Sequence, residues 1–162
     1  SPARRQEILR DPHLGAFAAI RLGAYFVADF ALWTALPEAP WGLLLLAPCA
    51  SRALSGLAIT SFPLAAESSL AKTFAGAAAR SRARAVLAAL SALLLLGLCA
   101  QGPGGAAMAL AGLGCFFRCR RIARREFGGL SGDLAGWFLQ TAEIWMLAAL
   151  CAVQWGGRIL CF

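Results

Sequence analysis

The sequence is short of charge, of histidine and of lysine. Only 14% of its 162 residues are Asp, Glu, Lys or Arg, against about 25% in a typical soluble domain. That shortage excludes an ordinary soluble globular protein, a disordered chain and a coiled coil. His13 is the single histidine, which excludes zinc catalysis built on several imidazole ligands. No Cys-x-x-Cys occurs, and Cys115-x3-Cys119 has no partners at zinc spacing. The six cysteines fall mostly in apolar runs and read as small buried hydrophobes. The chain opens at Ser1 with charged residues close behind. No secretory signal pattern is read there, and a piece of something longer is the expectation.

What the chain does have is apolar length. It is 60% hydrophobic with a mean hydropathy of +0.69, which points to a polytopic membrane protein. We expect one all-α domain over residues 1–162, a transmembrane bundle of about five helices. The apolar runs are 14–36, 41–62, 85–100, 105–117 and 134–155. The first, second and fifth meet the requirement of about 20 residues for a ~30 Å hydrocarbon core. The third and fourth are shorter and are divided by the turn signal Gln101-Gly102-Pro103-Gly104. Arg84 and Arg118 at their margins could snorkel and extend them.

The formal charge is +7, from fourteen Arg, one Lys and eight acids. These cations sit mainly between the apolar runs. From the N-terminus onward the connections carry 3, 0, 4, 0, 5 and 1 basic residues. That alternation predicts the N-terminus inside and the C-terminus outside, and it makes nucleic acid an unneeded partner. Arg80, Arg82, Arg84 and the cluster from Arg118 to Arg125 read as topology signals that touch anionic lipid. Arginine in place of lysine, with abundant Ala, Gly and Leu, suggests a GC-rich bacterial genome.

Three sets of residues could carry chemistry. In Glu7-Ile8-Leu9-Arg10-Asp11-Pro12-His13-Leu14-Gly15, Arg10 could clamp a phosphate and Asp11 could hold a metal or a proton. The structural alternative is a helix start, with Asp11 as N-cap and Pro12 in the first turn. In Gly128-Gly129-Leu130-Ser131-Gly132-Asp133-Leu134-Ala135-Gly136, a glycine-rich loop precedes a carboxylate at a helix entrance. Gly129, Ser131 and Gly132 could lie against phosphate while Asp133 holds Mg²⁺. Alternatively Ser131 or Asp133 is a cap, and Gly128, Gly132 and Gly136 form a small-residue face for helix packing or an oligomer. The third set, Arg21, Asp29, Arg52, Gln140 and Glu143, is polar within spans. Internal pairing of Arg52 with Glu143, or of Arg21 with Asp29, would offset the burial cost. Asp11 and Asp133 both precede outward-running spans, so the same depth and close approach are expected. A loop at 68–74 is either a substrate loop or a connector.

Two of these stretches together resemble the bacterial cobalamin synthase family, also called adenosylcobinamide-GDP ribazoletransferases. Glu7-Ile8-Leu9-Arg10-Asp11-x-x-Leu14-Gly15 is similar to that family's Glu-Ile-Met-(Arg/Lys)-Asp-Ser-Arg-(Ile/Leu)-Gly. Gly128-Gly129-x-Ser131-Gly132-Asp133-x-x-Gly136 is similar to its Gly-Gly-x-(Thr/Ser)-Gly-Asp-x-x-Gly, and Glu143 follows on the last helix. Ser51-Arg52 matches a Ser-Arg within a span, and Ser69-Leu70-Ala71-Lys72-x-Phe74 loosely follows a Gly-Leu-Gly loop. The likeness runs from Arg5 to about Leu150. Pro12-His13 replaces Ser-Arg, Ser69 and Ala71 replace two glycines, and Gln140 stands where the family usually has Glu. Nothing here matches the family's N-terminal acidic motif, so either a C-terminal piece or a degenerate protein is expected.

The resemblance implies a membrane phosphotransferase. It would join adenosylcobinamide-GDP to α-ribazole or its 5′-phosphate and release GMP, late in vitamin B12 synthesis. It implies Mg²⁺, an active face on the cytoplasmic side of the inner membrane, and roles for particular residues. Asp11 and Asp133 would be catalytic. Asp11, Asp133 and Glu143 would hold metal, and Arg10, Arg52, Gly129, Ser131 and Gly132 would bind phosphate. The alternatives are a non-enzymatic transporter or scaffold subunit, or an inactive truncated homologue. A transporter would favour internal repeats and broken helices at mid-membrane; no convincing repeat is present.

Overall fold

The structure is a computed structural model and describes residues 2–9, 11, 13, 15–38, 40–65 and 77–160. It is all-helical. In chain order the helices are α1 (Pro2–Leu9), α2 (Ala16–Ala35), α3 (Trp41–Ser61), α4 (Ala77–Cys99), α5 (Pro103–Glu126) and α6 (Gly132–Leu160). Among the described residues the only departure is an isolated parallel bridge between Leu64 and Leu130.

Four of these helices, α2, α3, α4 and α6, are long and apolar enough to cross a membrane. The protein is a multi-pass membrane protein. Helix α5 differs in kind from the other four. At 24 residues it is about 36 Å long, but Arg118, Arg120, Arg121, Arg124 and Arg125 occupy its last turns. The third and fourth apolar runs therefore understate their helices. α4 begins eight residues before position 85, and α5 continues nine residues past position 117. Arginine is a good helix former, so loss of hydropathy does not end a helix. α5 stops where Gly128 takes φ +67°.

Helix α3 lies at the centre. Its buried residues Ala47, Ala50, Ser51, Leu54, Ser55 and Ala58 recur at helical spacing and are mostly small. Small side chains let α4, α5 and α6 approach closely. Toward one end Leu54, Phe62, Cys119, Leu130 and Phe138 form one core cluster. Toward the other, Leu43, Leu98, Met108, Met146 and Leu150 form a second. Gly105 starts α5 so tightly that a Cβ would collide with the Leu98 carbonyl.

Helix α2 buries none of its residues and meets chiefly α6. Its far end is fixed by polar contacts. Trp155 Nε1 donates to the Ala35 carbonyl at 2.8 Å, and Gln154 bonds the Glu38 backbone on both its sides. The C-terminal parts of α2 and α6 are thus side by side, and the two helices run parallel. Counting back at 1.5 Å per residue, Ala16 and Asp133 lie about 29 and 33 Å from that junction. The starts of α2 and α6 share one face of the bundle.

On that face the Gly128–Leu130 turn is strapped to the segment after α3. Leu130 N–H donates to the Pro63 carbonyl at 2.8 Å, Ala65 N–H to the Leu130 carbonyl at 3.0 Å, and Gly129 N–H to the Ala123 carbonyl at 2.9 Å. A Cβ on Gly129 would stand 2.5 Å from the Ala65 nitrogen and 2.6 Å from the Leu64 carbonyl carbon. Backbone atoms cannot swing aside as side chains do. Gly129→Ala is expected to cost about 1–3 kcal/mol, the range of other overpacked sites, read as a lower unfolding midpoint in detergent micelles. An unchanged midpoint would show that the strap is looser than drawn.

Candidate functional site

The glycine turn, the start of α6 and Asp11 before α2 make up the candidate site. Ser131 caps α6: its Oγ accepts the Leu134 N–H at 3.3 Å, while its carbonyl takes the Ala135 N–H. The cap therefore does not need Asp133. Asp133 stands in the first turn of α6, exposed, with no hydrogen bond or ion pair among the described residues. The Gly132 and Asp133 N–H groups, unlike that of Leu134, are not taken by the cap, and the helix dipole adds positive potential there. A carboxylate with no partner among the described residues, beside backbone donors that the cap leaves over, suits a phosphate carried with a cation.

Asp11 lies in the turn between α1 and α2. It does not cap α2, whose N-cap is Gly15 without a side-chain bond. Asp11 Oδ1 instead accepts the His13 backbone N–H at 3.0 Å and meets His13 Nδ1 at 2.8 Å. The His13 backbone bond, and then the ring, hold the Asp11 carboxyl below its ordinary 3.8. A lowered acid stabilises the turn at pH above its unfolded value, and that contribution is lost as pH falls through the folded value. An NMR titration in micelles is expected to give Asp11 a midpoint under 3.8. Pro12→Ala should leave it low, and a midpoint at or above 3.8 would remove the turn.

One contact ties these pieces together. Arg5 on α1 donates to Glu126 Oε2 at 2.9 Å, at the end of α5 and seven residues before Asp133. That contact holds α1 at Arg5, six residues before Asp11, against the end of α5 from which the glycine turn follows. Arg80 secures the neighbouring end of α3, donating from Nε to the Thr60 carbonyl at 3.0 Å and from a terminal nitrogen to that of Phe62 at 2.9 Å. It satisfies carbonyls that a helix end leaves unpaired.

The structure does not assemble every residue assigned from the sequence. Glu143 sits ten residues beyond Asp133 on α6, about 15 Å along the axis, too far to share one ion. Among the described residues no three of Asp, Glu, His and Cys gather to hold a metal. Glu143 belongs instead to a pair between α3 and α6 that is half-buried on the Glu143 side and exposed on the Arg52 side. Arg52 donates to its Oε1 at 2.6 Å and Ser51 Oγ at 2.7 Å. Arg52 is therefore engaged about 13 Å below the site face and is not placed to clamp a phosphate there. The alternative Arg21–Asp29 pair does not form. Asp29 borders a cavity of about 210 Å³ with Tyr25, Trp33 and Glu143. Gly129 has its N–H spent within the fold and serves close backbone approach. Gly132 and Gly136 face open space, and Gly128 stands in the turn before α6, so it does not extend their helical face. Arg10 and the loop at 68–74 lie outside the described residues.

Sequence reasoning gave Arg80 only a topology and lipid-contact role and assigned Arg5 and Glu126 no contact. The only available signal was charge at helix ends, which serves topology equally well.

Comparison with known proteins bears on the site as a whole. Residues 1–151 match the model of the cobalamin-5-phosphate synthase family. An adenosylcobinamide-GDP ribazoletransferase of Lachnoclostridium phytofermentans is 37% identical over 161 residues, 99% of this chain and 61% of that protein. Those of Stutzerimonas stutzeri and Pseudomonas savastanoi pv. phaseolicola are 35% and 32% identical, covering 96% and 91% of this chain and 62% and 60% of theirs. The chain thus spans about three fifths of the length of these relatives. No solved structure matches it. The match runs through both the Asp11 segment and the Gly128–Gly136 stretch, and this chain belongs to the cobalamin-5-phosphate synthase family.

Proposed function

We propose that this chain forms the membrane-embedded, site-bearing part of an adenosylcobinamide-GDP ribazoletransferase. The reaction joins adenosylcobinamide-GDP to α-ribazole or its 5′-phosphate. A ribose hydroxyl attacks the cobinamide-linked phosphorus of the diphosphate, a new P–O bond forms, and the bond to GMP breaks. Catalysis of this kind rests on positioning and on neutralising charge. The observation that carries the reading is Asp133, an uncommitted carboxylate at an already capped helix start, on the face that also holds Asp11.

The donor set fits Mg²⁺. That ion is commonly bound through one or two carboxylates together with substrate phosphates, and Asp133 with Asp11 would hold it here. Bound there, it would neutralise charge on the diphosphate. The Gly132 and Asp133 N–H groups would orient a phosphate oxygen, while Ser131 and the strapped turn fix the entrance of α6. The arginine distribution supports a cytoplasmic active face at the bacterial inner membrane, with the first helix running outward.

The test is a product assay in membranes with the whole protein. GMP release that depends on both substrates and on Mg²⁺ supports the reading; substrate binding without GMP release overturns it.

A further inference from the structure

We propose that a cleft on α5, beside the candidate site, is a phosphate-group binding site built on Arg118, Arg121 and Arg125. These residues and Ile122 recur at spacings of three and four and so share one face of the helix. They line a cavity of about 470 Å³ together with Glu126. The single carboxylate of the lining is already committed, because Glu126 is ion-paired with Arg5 from α1. Among the described residues no acid lies within ion-pairing distance of Arg118, Arg121 or Arg125. Three guanidinium groups therefore surround a space whose charge no described acid compensates.

The surroundings select the ligand class. The Arg118 guanidinium lies 5.8 Å from the centre of the Trp137 ring, which positions it. Trp137 is four residues beyond Asp133, on the same side of α6. The Arg118 end of the cleft thus meets the side of α6 that carries Asp133. Planar guanidinium forks match phosphate oxygens in pairs, and a phosphate monoester carries about −1.5 to −2 charges at pH 7. Ile122 gives the cleft an apolar wall. Two sources of this chemistry reach a cleft at the membrane surface: the headgroup of an anionic lipid, or the phosphate of a water-soluble ligand. The inference extends the proposed transferase reading by giving a phosphorylated substrate a second seat, and its test needs no turnover.

The whole protein is placed in nanodiscs of phosphatidylcholine alone and titrated calorimetrically with inorganic pyrophosphate. Retention of added phosphatidylglycerol is followed by native mass spectrometry. The variants are Arg121→Gln/Arg125→Gln, its charge-keeping counterpart Arg121→Lys/Arg125→Lys, and Arg120→Gln. Arg120 points elsewhere, over the Phe62 ring at 6.0 Å, and controls for bulk charge. We expect the double Gln variant to weaken pyrophosphate binding at least tenfold, the Lys variant to recover part of it, and Arg120→Gln to leave it near wild type. Retention of phosphatidylglycerol lost only in the double Gln variant, without pyrophosphate binding, assigns the site to a lipid headgroup. Binding of neither probe by the wild-type protein, or equal weakening by Arg120→Gln, overturns the proposal. A protein that binds a probe through the cleft yet releases no GMP would fail the transferase reading alone.

Discussion

Asp133→Asn is expected to lower GMP release at least a hundredfold, about 2.7 kcal/mol of transition-state stabilisation, while the protein inserts and folds normally. The expectation rests on a division of labour at the start of α6. Ser131 accepts the Leu134 N–H and so performs the capping. Asp133 is left exposed and unbonded among the described residues, so the structural part of its charge is confined to the helix dipole, about 0.3–1 kcal/mol. Asn keeps the shape and one carbonyl oxygen but is a poorer ligand for a hard cation. The measurement is kcat in membranes containing the whole protein, across a range of Mg²⁺, with the unfolding midpoint taken in parallel. Ser131→Ala supplies the contrast: it should lower stability by about 1 kcal/mol through the lost cap. Near-normal kcat for Asp133→Asn at saturating Mg²⁺ would remove Asp133 from the chemistry.

The membrane bundle was readable because its physics is one-dimensional. Apolar runs of sufficient length, and arginines alternating between their connections, are properties of the string itself. The ends of α4 and α5 were not readable in this way. Hydropathy falls at Arg84 and Arg118, but the backbone hydrogen bonds of those helices are indifferent to that fall. The glycine stretch shows a second limit. Gly129 has the composition of a phosphate loop, yet its bareness is used against the Ala65 backbone, which only a folded chain brings near. The choice between Ser131 and Asp133 as the cap was likewise open until the Leu134 N–H had a direction. Long-range pairs such as Arg5 with Glu126, 121 positions apart, leave no local trace.

Arg52→Leu is expected to destabilise the bundle by about 1–2 kcal/mol, less than for a fully buried pair, because the Glu143 carboxylate that loses its cation is only partly buried. The pair was one of two offered by the intramembrane charges, and the geometry selects it. Arg52 reaches Glu143 at 2.6 Å and also donates to the Pro48 carbonyl at 3.1 Å. Pro48 has no N–H to give the Leu44 carbonyl four residues before it, so this stretch of α3 is already short of one helical bond. Arg52 and Ser51 both bond the Pro48 carbonyl from below, and both hold Glu143. One substitution therefore disturbs two helices. The double variant Arg52→Leu/Glu143→Leu should recover most of the loss, since removing both partners leaves no partly buried charge without its counter-ion. Unfolding midpoints of the two single variants and the double, measured in bicelles, complete the cycle. Additive losses would show that the two charges are independently solvated, Glu143 through the cavity it shares with Tyr25 and Asp29.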